Sequence, residues 1–200
     1  MRKWLKEFRY FGGQSHEIVQ TQTNYPNIPK SVTSADLEHE LDVFEKMCTV
    51  FNDTVVFSHN DLAAPNISEL NDTKEVIFID FEFALYNWRG FDIGHHLSEY
   101  AFDNRVEGQD YLLHGSIFEN HPNLRAICLA YLNSENCDGL MEECRFFWPL
   151  CNLFFAIYSL RMYTEGIDNG SDWRSATSDR LAFYFYLKNR SIEIYEKRKL

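Results

Sequence analysis

Apolar residues recur along this chain with two spacings, and most follow the helical one. Trp4, Leu5 and Phe8 share one face of a segment over residues 2–11, which Gly12-Gly13 then breaks. A loop follows through Asn24-Tyr25-Pro26-Asn27-Ile28-Pro29. Thr33 and Asp36 have the spacing of a capping box, and Leu37, Leu41, Phe44, Cys48 and Phe51 continue at helical intervals behind them. Phe91, Ile93, Leu97 and Tyr100 form a third stripe, and Pro122 opens a helix through Ile127, Leu129 and Leu132. Leu140 to Thr164 reads as one long apolar helix, bent at Pro149. Gly166 and Gly170 mark a loop, and a terminal helix runs from Trp173 to Lys197. Its basic end, Lys197-Arg198-Lys199, complements the helix dipole; a membrane-facing basic patch is the weaker alternative. Only two runs break this rhythm, Val55-Val56-Phe57 and Val76-Ile77-Phe78-Ile79, with Asn71-Asp72 as a turn before the second. The pattern predicts an α+β fold, predominantly helical, with one small β-hairpin made from these two runs.

Each run delivers polar residues where it ends. The first leads into Ser58-His59-Asn60-Asp61, with Asn66 five positions after Asp61, and the second stops at Asp80. His-x-Asp-x-x-x-x-Asn followed by a strand and Asp is the arrangement of protein kinases and their relatives. Phosphoryl transfer explains the residue types. A carboxylate orients the attacking hydroxyl, which suits Asp61 as catalytic residue. Hard oxygen ligands hold Mg²⁺ on the phosphates of ATP, which suits Asn66 and Asp80.

Downstream the pattern narrows. Asp80-Phe81-Glu82-Phe83-Ala84 has no glycine where a protein kinase has Asp-Phe-Gly. Tyr86-Asn87-Trp88-Arg89-Gly90-Phe91-Asp92-Ile93-Gly94-His95-His96 closely resembles the Tyr-Asn-Tyr-Arg-Gly-Phe-Asp-Ile-Gly-Asn-His block of the choline/ethanolamine kinase family. The resemblance is dense from Val55 to Glu99 and looser beyond. It implies the C-terminal lobe of a protein-kinase-like fold, with ATP as co-substrate, Mg²⁺ as cofactor, and choline or ethanolamine as the phosphate acceptor.

The residues ahead of Val55 read as helix, loop, helix, without the glycine-rich strand turn or strand lysine that cover ATP phosphates in kinases. Residues 1–200 are therefore expected to form the C-terminal lobe alone. By resemblance, the substrate cation is held by Glu99 and by the aromatic rings of Phe155, Tyr158 and Trp173, through cation–π attraction assisted by a carboxylate. Phe155 and Tyr158 stand where the family has tryptophan, and its tyrosine after the glutamate has no counterpart near Asn104. Both departures leave ethanolamine open beside choline. Phe146, Phe147 and Phe154 are expected in the core. His59 is expected to support the catalytic loop, Arg89 and Asp92 to pair and shape the loop after Asp80, and His95-His96 to diverge rather than chelate one ion. A non-catalytic binding lobe and a small-molecule phosphotransferase of the same superfamily are the competing functions.

Composition trims the options further. A net charge of -11 over 200 residues argues against a nucleic-acid partner, since phosphate backbones are bound with Lys and Arg. Five cysteines without a C-x-x-C, three of them seven residues apart (Cys137, Cys144, Cys151), read as reduced core thiols. The start Met-Arg-Lys-Trp-Leu-Lys-Glu has no apolar signal region, and the apolar stretch Phe146 to Leu160 falls short of the about 20 residues of a membrane span. A cytoplasmic protein is expected, with a homodimer left open.

Overall fold

Helix packing dominates this computed structural model, which describes residues 1–20, 22, 24–103, 112–114, 117, 121–167 and 170–200. Chain order is α1 (Arg2–Tyr10), β1 (Ser15–Glu17), β2 (Ser31–Thr33), α2 (Ser34–Cys48), β3 (Val55–Ser58), β4 (Ile67–Glu69), β5 (Val76–Phe78), β6 (Leu85–Trp88), α3 (Arg89–Glu99), β7 (Phe102–Asp103), β8 (Leu112–Leu113), α4 (Leu124–Leu132), α5 (Asp138–Glu165) and α6 (Trp173–Lys199). The capping box forms as expected: Thr33 Oγ1 accepts from the Asp36 N–H, and Asp36 accepts from the Thr33 N–H.

The long helices α5 and α6 lie antiparallel. Glu142 near the start of α5 receives Lys197 (3.1 Å) and Arg198 (2.8 Å) from the end of α6. Those two basic side chains therefore clasp the neighbouring helix as well as facing their own dipole. Helix α5 runs unbroken across Pro149. Phe146, Phe147 and Trp148 are fully buried in it, while Phe154 is half-buried and packs edge-on to Trp4 and Phe91. The five cysteines are free and buried, in keeping with core thiols.

Helix α3 rests on α5 through its small residues. A Cβ at Gly90 would stand 2.8 Å from the Glu143 Cβ, and one at Gly94 would stand 3.1 Å from the Cys144 carbonyl oxygen. Any side chain there would lift α3 off α5, and with it every residue that α3 turns toward the loops.

The β-structure departs from expectation. Val55–Ser58 and Val76–Phe78 do not pair with each other. β3 pairs antiparallel with β6, Phe57 opposite Tyr86, and β4 pairs with β5, Ile67 opposite Phe78. The reason is local: the turn at Asn71-Asp72 closes the short β4–β5 hairpin, which leaves β3 free for the strand that enters α3. Two further strands, β1 and β2, flank the expected loop. Helix α4 starts two residues after Pro122, and Tyr100 is exposed at the end of the α3 stripe.

Candidate active site

The loop after β3 is fixed by its own backbone donors and acceptors. Asn60 sits at φ 64°, a left-handed conformation that Asn tolerates better than most residues. Its side chain donates to the Phe83 carbonyl (3.0 Å) and accepts from Asn87 (2.7 Å), which ties the loop to the chain on both sides of β6's start. Asp92 at the head of α3 accepts the His59 N–H and the Asn60 N–H, each at 2.8 Å. The Asp61 N–H donates to His59 Nδ1 (3.3 Å), so the ring proton lies on Nε2 and donates to the Ile79 carbonyl (2.8 Å). The His59 ring thus joins the residue before Asp80 to the backbone of Asp61 itself.

Asp61 and Asn66 are in direct contact. Asn66 Nδ2 donates to the Asp61 carboxylate and to its carbonyl, both at 2.9 Å. The Ile79 N–H donates to the Asn66 carbonyl (3.0 Å), which draws Asp80 toward the same loop. Asp80 also has φ 64°, is exposed, and has no side-chain partner among the described residues. Burial would raise the Asp61 carboxyl, but hydrogen bonds from His95 and Asn66 outweigh it and hold the group below the ordinary carboxylate range. Among the described residues no three His, Cys, Asp or Glu side chains converge as a metal site. A carboxylate with one amide oxygen is instead the sparse donor set that suits Mg²⁺, which keeps waters and phosphates as its other ligands. Asn66 spends its amide N–H groups on Asp61 and keeps Oδ1 for such a role.

Helix α3 carries a row of side chains from this loop to a pocket. His96 Nδ1 donates to the Leu62 carbonyl (2.8 Å), while His95 Nε2 lies 3.3 Å from Asp61 Oδ1. The two histidines diverge, as adjacent helical positions must, and grip the loop at separate points. One turn on, Glu99 faces a pocket of about 410 Å³ between α3, α5 and α6. Phe155, Tyr158 and Trp173 line it with Glu99, so the four residues singled out from sequence come together. Tyr158 and Trp173 meet edge to face at 6.0 Å. The position near Asn104 lies outside the described residues.

One expectation needs correcting. Arg89 does not pair with Asp92. Its guanidinium makes a bidentate pair with Glu143 on α5 (3.1 and 2.7 Å), because Glu143 is buried there and needs a cation, while the Asp92 carboxylate is taken by the loop N–H groups. The sequence reading also missed Arg180 of α6. It bonds Glu99 at 3.0 Å and lies 4.2 Å over the Phe102 ring and 5.1 Å over the Phe155 ring. Asn60 was missed too, although an Asn beside His-x-Asp at a strand exit is a turn signal in its own right.

The choline/ethanolamine kinase family model matches residues 1–185. Choline kinase B2 of Caenorhabditis elegans is 45% identical over 212 aligned residues, covering 98% of this chain and 58% of that protein. Choline kinase B1 of the same organism is 40% identical, covering 100% of this chain and 58% of its own length. The chain thus spans little more than half the length of these relatives. A crystal structure of choline kinase from Cryptosporidium parvum superposes with a TM-score of 0.66 at 16% identity, over 96% of this chain and 56% of that one. At that identity the likeness speaks for the fold alone.

Proposed function

The chain belongs to the choline/ethanolamine kinase family, and from that premise we propose that it holds an amino alcohol, choline or ethanolamine, for phosphorylation by ATP. The observation that carries this reading is the convergence of Glu99, Phe155, Tyr158 and Trp173 on one pocket, with Glu99 linked to Asp61 through the single residue His95. A quaternary ammonium offers no hydrogen-bond donor on nitrogen, so ring faces and one carboxylate are what can hold it.

With the cation in that pocket, the short two-carbon arm of either alcohol points its hydroxyl back along α3 toward Asp61. Asp61 orients the hydroxyl and accepts its proton as the oxygen bonds to the γ-phosphorus and the bond to the departing ADP oxygen breaks. Asn66 and Asp80 would hold Mg²⁺, which when bound supplies positive charge against the triphosphate. Asp92, His59 and Asn60 keep the loop in place so that little reorganisation is left for the reaction itself.

We assign residues 1–200 to the C-terminal lobe, and the cover over the ATP phosphates to a lobe outside these residues. Exposed apolar side chains on β3, β5 and β6 support this division. No helix among the described residues is long and apolar enough to cross a membrane. We place the enzyme in the cytoplasm, where ATP is at hand and five buried thiols stay reduced. Calorimetric titration of the chain with choline and ethanolamine, beside a coupled ATP assay, tests the reading. Binding without turnover is expected from residues 1–200 alone, and Trp173→Ala is expected to weaken binding about tenfold. Product formation by this chain alone would overturn the lobe assignment, and unchanged binding by Trp173→Ala would remove the ring from the pocket.

A further inference from the structure

The pocket between α3, α5 and α6 already contains a cation of its own. Arg180 Nη2 stands 3.0 Å from Glu99 Oε1, and the guanidinium carbon lies 4.2 Å over the Phe102 ring and 5.1 Å over the Phe155 ring. These are the contacts by which rings and a carboxylate hold an ammonium. Arg180 is 12% exposed and Glu99 17%, so water and salt screen the pair weakly. Arg180 Nη1 has no hydrogen-bond partner among the described residues, which leaves Glu99 and the two rings to hold the guanidinium. Phe155 is engaged further by the His95 ring, stacked on it at 4.3 Å and 18°. A substrate cation is left with the rings of Tyr158 and Trp173 and with Glu99 Oε2, since both ionic contacts of Glu99 fall on Oε1.

We propose, on the pocket reading given above, that Arg180 is a specificity-determining residue. By compensating Glu99 it sets the pocket for the quaternary ammonium of choline over the primary ammonium of ethanolamine. Arginine suits the task because its charge is permanent. The other carboxylate lining the pocket, Asp172, is exposed and caps α6, accepting the Ser175 N–H at 3.0 Å at the positive end of that helix. Water screens it, so it discriminates little between the two cations.

The discrimination follows from what each cation loses on leaving water. A primary ammonium carries three N–H donors and a tight hydration shell, which it gives up only where acceptors replace the water. An uncompensated carboxylate would do so through a charge-assisted hydrogen bond. Glu99 is compensated, so its pull on a compact charge is much reduced. A trimethylammonium has no donor to satisfy and draws on ring faces, and the Tyr158 and Trp173 rings stand clear of Arg180. Arg180 therefore weakens the hold on ethanolamine more than the hold on choline.

Calorimetric titration of the full chain tests this with four alcohols that differ by one methyl each: ethanolamine, its N-methyl and N,N-dimethyl derivatives, and choline. The parent is expected to bind more tightly along the series, by about tenfold from end to end. Arg180→Gln removes the charge and keeps an amide donor. It is expected to shift the ratio of the ethanolamine and choline dissociation constants about tenfold in favour of ethanolamine. Arg180→Lys keeps the charge and is expected to hold the parent ratio within about twofold. So is Arg180→Gln combined with Glu99→Gln, where an amide pair replaces the ion pair and the net charge is again that of the parent. A merely structural role for Arg180 would weaken all four ligands together and leave the ratio alone. A ratio in Arg180→Gln within about twofold of the parent's overturns the proposal, as does a parent that binds ethanolamine more tightly than choline. If Arg180→Gln fails to fold around the unpaired Glu99, the double variant buries no unpaired charge and still decides: a ratio more than about fivefold from the parent's overturns the compensation. If the parent binds none of the four, the pocket reading itself fails and takes this assignment with it.

Discussion

The helical body and the face built from β3 to β6 place their side chains in opposite senses. In the body, rings such as Phe146, Phe147 and Trp148 are sealed between α5, α6 and their neighbours, and the buried carboxylates of Glu143 and Glu40 are each paired with a cation. On the β3–β6 face, Phe57 is 63% exposed and Tyr86 74%, whereas Ser58, His59, Asn60 and Asn66 are buried. Apolar area removed from water is what stabilises a domain, at about 25 cal/mol per Å². Hydrogen-bonded polar groups contribute little net stability but fix geometry closely. The body therefore supplies the stability, and the face spends its buried positions on holding Asp61, Asn66 and Asp80 in register.

This contrast can be broken from either side. The largest effect is expected at Asp61. Asp61→Asn in the complete enzyme is expected to lower kcat by about a thousandfold, as loss of a proton acceptor does, and to leave the melting temperature nearly unchanged. A steady-state assay beside a thermal melt checks both halves, and most of the activity surviving would end the assignment of Asp61. Phe146→Ala is the mirror case. Its ring contacts Phe51 at 4.8 Å and Phe147 at 4.9 Å with no exposure. Removing it is expected to cost about 3–5 kcal/mol of stability in denaturant melts, with the dissociation constant for choline unchanged while the protein is folded.

Legibility in the sequence follows the same division. The contact between Asp61 and Asn66 was readable because the phosphoryl transfer proposed for this loop calls for those residue types at that spacing, and the two side chains meet at 2.9 Å. The strand partners on this face were not, because β-pairing is non-local: nothing in Val55-Val56-Phe57 says that it pairs with Tyr86 rather than Ile77. The three-residue strands β1 and β2 are too short to show any period. In the body, helices were readable from their stripes, but their long-range ion pairs were not. Arg89 and Asp92 stand three apart on one helix and suggested a pair. Glu143, which in fact takes Arg89, is distant in sequence and becomes its neighbour only when Gly90 and Gly94 let α3 settle on α5. Glu99 was legible only through the family resemblance, since a glutamate ending a helix carries no signal by itself.

A smaller effect is expected where the N-terminal strands meet the body. His16 on β1 is buried against Ser178 of α6 (3.0 Å), and burial, helped by the Arg174 charge, lowers its titration to about 4. The folded state therefore refuses a proton that the unfolded chain accepts near pH 6.5. Above that pH His16 has no effect. Between about pH 6.5 and pH 4 it subtracts stability progressively, by at most about 3 kcal/mol. Denaturant melts of the parent and His16→Gln at neutral pH and near pH 4.5 measure this, and the variant is expected to lose less on acidification. Equal losses would show that His16 is protonated in the folded state.

The smallest effect on stability is expected on the face itself. Phe57 and Tyr86 meet edge to face at 6.0 Å, directly opposite each other on β3 and β6, yet both remain largely in water. Phe57→Ser removes little buried area, so melts should shift by less than about 0.5 kcal/mol. The consequence is expected in association instead. Phe57, Val76, Phe78, Phe81, Leu85 and Tyr86 leave a broad apolar surface exposed, and such surfaces draw copies of a chain together unless another element covers them. Sedimentation velocity on residues 1–200 is expected to show concentration-dependent self-association that Phe57→Ser with Tyr86→Ser reduces. In a complete enzyme whose nucleotide lobe covers this face, the same substitutions should instead weaken ATP binding and leave the monomer fraction alone. A large loss of stability in residues 1–200 would mean that the face belongs to the folding core after all, and the division between body and face would have to be redrawn around β3 and β6.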